Sequence, residues 1–223
     1  MITQNASDKI NQFNKRGLHY NLVADAVYQI RNSKSDPFDH DYLPYIIAAL
    51  IAFDMGRMMG STATSRYDTE SEGFAQHLVQ KLSAIKPYIG HLMNLHLHSL
   101  SLGAEQENIK IAYSLLSAGG KDGLNQKQGE FHVGATKILH FMNPRLFIIV
   151  DSNAARAFKL SHHVQFRNTS QPGYSSDLYI ECMEHARRDI LDFGVEEFRA
   201  LDTDVPIARI YDKLTFITGS KRT

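Results

Sequence analysis

"VGATKILHFMNPRLFIIVDSN", residues 133–153, joins two unlike kinds of sequence. Its first half has the three- and four-residue apolar spacing of an amphipathic helix. That helix must stop at Asn143-Pro144, because proline lacks an N–H and biases the preceding residue away from helical angles. The second half is the apolar run Phe147-Ile148-Ile149-Val150, which belongs in a core and ends on an acid, Asp151. A carboxylate at the edge of a core is costly unless it is hydrogen-bonded or paired. Asp151 therefore needs partners. One source is the backbone of the next helix, "SNAARAF", whose start Asp151 or Ser152 would cap with no chemistry implied. The other is Lys137, the single lysine on the preceding helix.

Outward from this stretch, helical spacing dominates the 223-residue chain. Ile10 and Phe13 share a face ahead of Gly17. Leu18, Leu22, Val23, Ala26, Val27 and Ile30 line a second helix. Residues 41–59 read as a buried, almost wholly apolar helix. Residues 72–100 read as a long one broken near Lys86-Pro87. Further helices are expected over 104–117, 131–142, 151–160 and 175–193, with a short one in "VEEFRAL". The last, "VPIARIYDKLTFIT", carries Pro206 in its first turn. Residues 60–73, 117–130 and "SHHVQFRNTSQPGYSS" are polar or glycine-rich connections. "RLFIIV" has the composition of a short strand but no partner strand. The expected fold is all-α: a compact bundle of about eight to ten helices. It is one domain over 1–223, divisible into lobes 1–118 and 119–223 around a cleft.

Hydrophobic content of 43% and charged content of 22% are ordinary for a soluble domain. The longest apolar stretch, residues 42–53, is too short to span a bilayer, and no membrane is expected as a partner. The first residues lack an apolar signal core, so a cytoplasmic location is expected. The only cysteine, Cys182, rules out an intrachain disulfide framework and a cysteine-rich zinc site. The net charge of zero gives no general sign of nucleic-acid binding. Its distribution does. Residues 121–167 carry seven Lys/Arg against three acids, with four histidines, around the opening motif. Such a local excess suits an anionic ligand.

A helix start flanked by Gly129 and Gly134 can present unpaired N–H groups to a phosphate. With Lys137 on that helix and an apolar run delivering Asp151 to the next helix start, the pattern resembles the helix-hairpin-helix DNA glycosylases. "VGATKILHF" looks like their glycine turn and lysine helix, and "FIIVDSNAARAF" like their Val-Asp helix start. The short lysine-to-aspartate spacing is similar to a bacterial branch with an oxoguanine-glycosylase-like fold. The resemblance covers roughly residues 129–158, and "GEFHVGA" is a degenerate hairpin without the usual Gly-x-Gly.

The resemblance implies cleavage of an N-glycosidic bond in double-stranded DNA, at a base flipped out of the stack. Asp151 would be the catalytic carboxylate, and Lys137 a nucleophile or phosphate anchor. No cofactor or metal is implied, and a monomer is expected. The expected DNA contacts are Gly134, Thr136, Arg145, Asn153, Arg156, His163 and Arg167. Asp54, Arg57 and His140 are expected at the base pocket, Asp54 and Arg57 alternatively forming a structural pair. The base would be oxidised guanine or a modified base of phage DNA, in repair or antiphage defence. The competing expectation is a non-catalytic helical module that binds nucleic acid or protein. His91, His96 and His98 do not make a metal site on this reading. No acid completes one, and on a helix residues 96 and 98 diverge.

Overall fold

A computed structural model describes residues 2–16, 18–33, 36–52, 74–118, 124, 131–159 and 175–220. Among them are ten α-helices and no strand. They are α1 (Ala6–Arg16), α2 (Leu18–Ser33), α3 (Leu43–Leu50), α4 (Phe74–Ile89) and α5 (Leu102–Ser117). After these come α6 (His132–Met142), α7 (Ser152–Ala157), α8 (Ser176–Phe193), α9 (Val195–Arg199) and α10 (Ile207–Gly219). The expected all-α bundle is the fold observed. Three single 3₁₀ turns, His40–Tyr42, Gly90–Leu92 and Leu97–Ser99, join helices. No helix among the described residues is long and apolar enough to cross a membrane.

α6 lies at the centre. Every residue from Gly134 to Met142 is buried, so the helix expected to be amphipathic has no solvent face. α2, α3 and α5 pack around it, α1 packs on α10, and α7 packs on α10. The pairing of α1 with α10 crosses the expected division at residue 118, and the buried residues form one cluster from Ile2 to Leu214. Helix α4 runs through Pro87 to Ile89, beyond the break expected near Lys86-Pro87, and passes into the turn Gly90–Leu92. Gly194 ends α8 at φ +95°, a backbone conformation that favours glycine.

The run after Pro144 is extended but is not a strand. The Leu146 and Phe147 N–H groups bond back to the Asn143 carbonyl, and further along the run backbone groups bond to side chains instead of a neighbouring strand. The Phe147 carbonyl accepts from His140 Nδ1 at 2.7 Å. The Ile148 carbonyl accepts from the Tyr179 hydroxyl at 3.1 Å, and the Val150 N–H donates to Thr136 Oγ1 at 3.2 Å. The turn before it is equally bound. Asn143 Nδ2 donates to the Leu92 and Leu95 carbonyls, and Asn143 Oδ1 accepts from the Arg145 N–H. At the end of α6, the Phe141 carbonyl accepts from the Tyr42 hydroxyl, and the Met142 carbonyl from Arg31 Nε.

His140 is fully buried, and its two ring nitrogens define its tautomer. A carbonyl only accepts, so Nδ1 carries the proton toward Phe147, and Nε2 accepts from the Tyr28 hydroxyl at 2.6 Å. Burial pushes the imidazole from 6.5 down to about 3. The folded value lies below the unfolded one, so the stabilisation from neutral His140 is complete above pH 6.5. It is lost as pH falls through that window toward 3. We expect the urea midpoint of wild type to drop across this window, and His140→Gln to show a shallower slope whatever its starting stability. Tyr28→Phe, which strands a buried acceptor, should cost about 1–3 kcal/mol in the same measurement.

Candidate active site

The rungs from His140 to Phe147 and from Thr136 to Val150 show that the extended run returns antiparallel to α6. The residue after Val150 is Asp151, which therefore lies beside the Thr136-Lys137 level of α6. The Asn-Pro turn makes this return possible. Thr136 joins the two parts, since its hydroxyl also donates to the Val133 carbonyl at 2.9 Å.

Asp151 caps α7. Its Oδ1 accepts from the N–H groups of Asn153 at 2.8 Å and Ala154 at 2.9 Å. The carboxylate is thereby oriented with a second oxygen outside these bonds, and the residue is half-buried. Lys137 is only 6% exposed. A lysine this deep is stable only beside opposite charge or hydrogen-bond acceptors.

Part of that opposite charge comes from a residue that the sequence reading passed over. Asp212 on α10 is 6% exposed, and burial pushes its carboxyl from 3.8 up to about 6. The Asp151 charge raises it further, while the Arg209 and Lys137 charges and the Arg209 hydrogen bond pull it down. Asp151 and Lys137 are therefore each within electrostatic reach of Asp212. Arg209, 1% exposed, pairs directly with Asp212, lies over the Phe13 ring at 5.0 Å and donates to Asn21 Oδ1 at 3.4 Å. Lys213, over the same Phe13 ring at 5.7 Å, binds Asn14 Oδ1 at 2.9 Å and Asp202 at 2.7 Å. The signal for Asp212 was an acid and an arginine three apart in the apolar "IARIYDKLTFIT", the spacing noticed at Asp54 and Arg57.

The other expected site residues separate. His140 lies beneath the site, sealed between Tyr28 and Phe147, with no surface to offer a base. Gly134 and Thr136 also face inward. An added Cβ at Gly134 would overlap the Phe131 ring, so this glycine admits an aromatic side chain. Asn153 and Arg156 bind each other, and Arg156 Nε donates to the Gly219 carbonyl at 2.6 Å, tying α7 to α10. Arg145 is exposed at the far end of the returning run. There, with Arg31, Asn32, Asn94 and Asn143, it lines a polar cleft of about 280 Å³. Asp54, Arg57, His163 and Arg167 lie outside the described residues.

No group of three or more metal-ligating side chains occurs among the described residues. The divergence expected of His96 and His98 is not observed. His96 precedes a 3₁₀ turn and His98 lies within it, instead of both riding an α-helix, and their rings sit 5.3 Å apart. His91 does have an acid nearby, Glu105 at 3.0 Å. In comparisons with known proteins, no family model, curated protein or solved structure matches this chain.

Two substitutions test how the site is held. Thr136→Val keeps the volume but removes the acceptor of the Val150 N–H, and should cost about 1–3 kcal/mol in urea unfolding. Gly219→Ala would place a Cβ on the Asn153 backbone carbonyl. Its steric cost should lower the thermal midpoint, and amide exchange in α7 should accelerate more than exchange in α4.

Proposed function

We propose that this chain is a DNA glycosylase-like enzyme that cleaves the N-glycosidic bond of a damaged or modified base, with Asp151 as the catalytic carboxylate. The observation that supports it most is the return of the apolar run along α6. It brings an oriented, half-buried carboxylate to the level of a buried lysine.

That pair suits the chemistry. As the N-glycosidic bond breaks, its electron pair leaves with the base and positive charge develops on the sugar. A fixed carboxylate stabilises that charge and can take the proton of a water attacking the sugar carbon. In the lyase variant, the Lys137 amine attacks the same carbon in place of water and gives up a proton to Asp151; the bond from that carbon to the ring oxygen then breaks, the oxygen takes the proton back, and a Schiff base remains. Asp151, the more exposed of the two, faces the entering sugar. Double-stranded DNA with its target base flipped out is the proposed substrate. Oxidised guanine and the modified bases of phage DNA are the two classes to assay, and Arg145 is a candidate contact to the DNA backbone.

Asp151→Asn separates catalysis from capping, since asparagine caps helices about as well as aspartate. Base release from oxidised and phage DNA should fall by about 10²–10⁴-fold in this variant. Equal release by the two proteins would overturn the proposal. Borohydride should trap a covalent DNA adduct with wild type and not with Lys137→Gln if the enzyme is a lyase. Release without trapping marks a simple hydrolase.

A further inference from the structure

The Asn143-Pro144 turn builds a second polar feature, at the end of the returning run away from Asp151. Hydrogen bonds staple three separate segments together there. Asn143 Nδ2 donates to the Leu92 carbonyl at 2.9 Å and to the Leu95 carbonyl at 3.0 Å. The Leu97 N–H donates to the Arg145 carbonyl at 3.0 Å. Arg31, in the last turn of α2, donates from Nη2 to the Met93 carbonyl at 3.1 Å and from Nε to the Met142 carbonyl at 2.7 Å. Between these segments lies the cleft of about 280 Å³. Arg31, 8% exposed, is its buried wall, and Arg145 is its exposed rim. Asn32, Asn94 and Asn143 make the rest of its polar lining, and no carboxylate lines it. Arg145 Nη2 is positioned by a neutral acceptor, Asn32 Oδ1 at 3.3 Å.

Arginine stays protonated in proteins, so two unit positive charges share one small cavity. α2 and α6 both end beside it, but each helix C-terminus contributes only about half a negative charge. Asp36, an acid that acts on Arg31, is outside the lining and is bonded to Lys86 at 2.8 Å. The cleft is therefore left positive, and an anion seated between the two guanidinium groups relieves their repulsion. The volume is at the small end of ligand sites, and the lining lacks the apolar and aromatic walls that hold larger molecules. The planar guanidinium fork matches paired phosphate oxygens, and asparagine amides add N–H donors. We propose that this cleft seats a backbone phosphate of DNA. The occupant rests on the DNA part of the reading above. Arg145 precedes Asp151 by six residues, a length of chain that reaches at most about 20 Å. A single turn of duplex, about 34 Å, is long enough to meet both.

The test uses the full chain carrying Asp151→Asn, whose DNA binding needs no turnover. Its affinity for a duplex with one oxidised guanine, and for an undamaged duplex, is measured against salt, with and without Arg145→Gln or Asn94→Asp. Both side chains are exposed, so the thermal midpoint should stay where it is. Each substitution should weaken binding to both duplexes alike, by about 3–10-fold at low salt. Arg145→Gln should also reduce the slope of log affinity against log salt by about one. Unchanged affinity and slope in Arg145→Gln overturns the proposal, and so does a chain that binds neither duplex. Inorganic phosphate separates the second source of the same chemistry. If it shifts the Arg145 side-chain NMR signals while Arg145→Gln leaves DNA binding intact, the cleft takes free phosphate and the DNA assignment is overturned. DNA binding with the expected loss, but no base release by wild type, sinks the glycosylase reading and leaves the phosphate cleft standing.

Discussion

The structure depends on how one extended apolar run satisfies its backbone. Leu146 to Val150 is wholly buried among helices, where unpaired N–H and C=O groups are expensive. The usual remedy, a neighbouring strand, is absent among the described residues. Side chains of α6 and α8 supply the bonds instead: His140 to Phe147, Tyr179 to Ile148, Thr136 to Val150. These bonds fix the direction and register of the run against α6. A slip of one residue would unpair the rungs and leave buried polar groups without partners. The register in turn sets where the chain emerges, and it emerges at Asp151.

The polar residues of α6 follow from the same arrangement. A helix buried on all sides has no free place for a threonine, a lysine and a histidine. Thr136 and His140 serve the returning run, and Lys137 has the charge of Asp212 within reach. Replacing such a buried charged set by apolar side chains is often neutral or stabilising, so stability alone is weak grounds for retaining it. Clusters of this kind, with a carboxyl shifted well above its ordinary range, are commoner where chemistry is done.

Much of this arrangement was legible in the chain. The helices followed from apolar spacing, the break from Asn143-Pro144, and the partner-seeking acid from its place at the end of an apolar run. Asp151 as a cap is a local consequence of residues 133–153; the burial of Lys137 is not, since the amphipathic helix expected there has no solvent face. Three further features were read differently. The apolar run had a strand's composition, but its acceptors and donors came from residues distant in sequence, such as Tyr179. His140 looked available to a ligand until Tyr28, 112 positions away, closed its second nitrogen. The two histidines 96 and 98 were separated on an assumed helix, and a single 3₁₀ turn brought them together.

What the sequence by itself determined is the set of elements and the local logic of one motif. Periodicity, proline and capping act over a few residues and need no knowledge of the rest of the chain. What only the tertiary structure decided is the company that motif keeps. Asp212 and Arg209 formed an unremarked pair in a C-terminal helix until α10 packed on α7 and Asp212 came within reach of the Asp151 and Lys137 charges. Coulombic coupling depends on distance and on exclusion of water. Both are properties of packed helices, and neither is written in the spacing of residues along the chain.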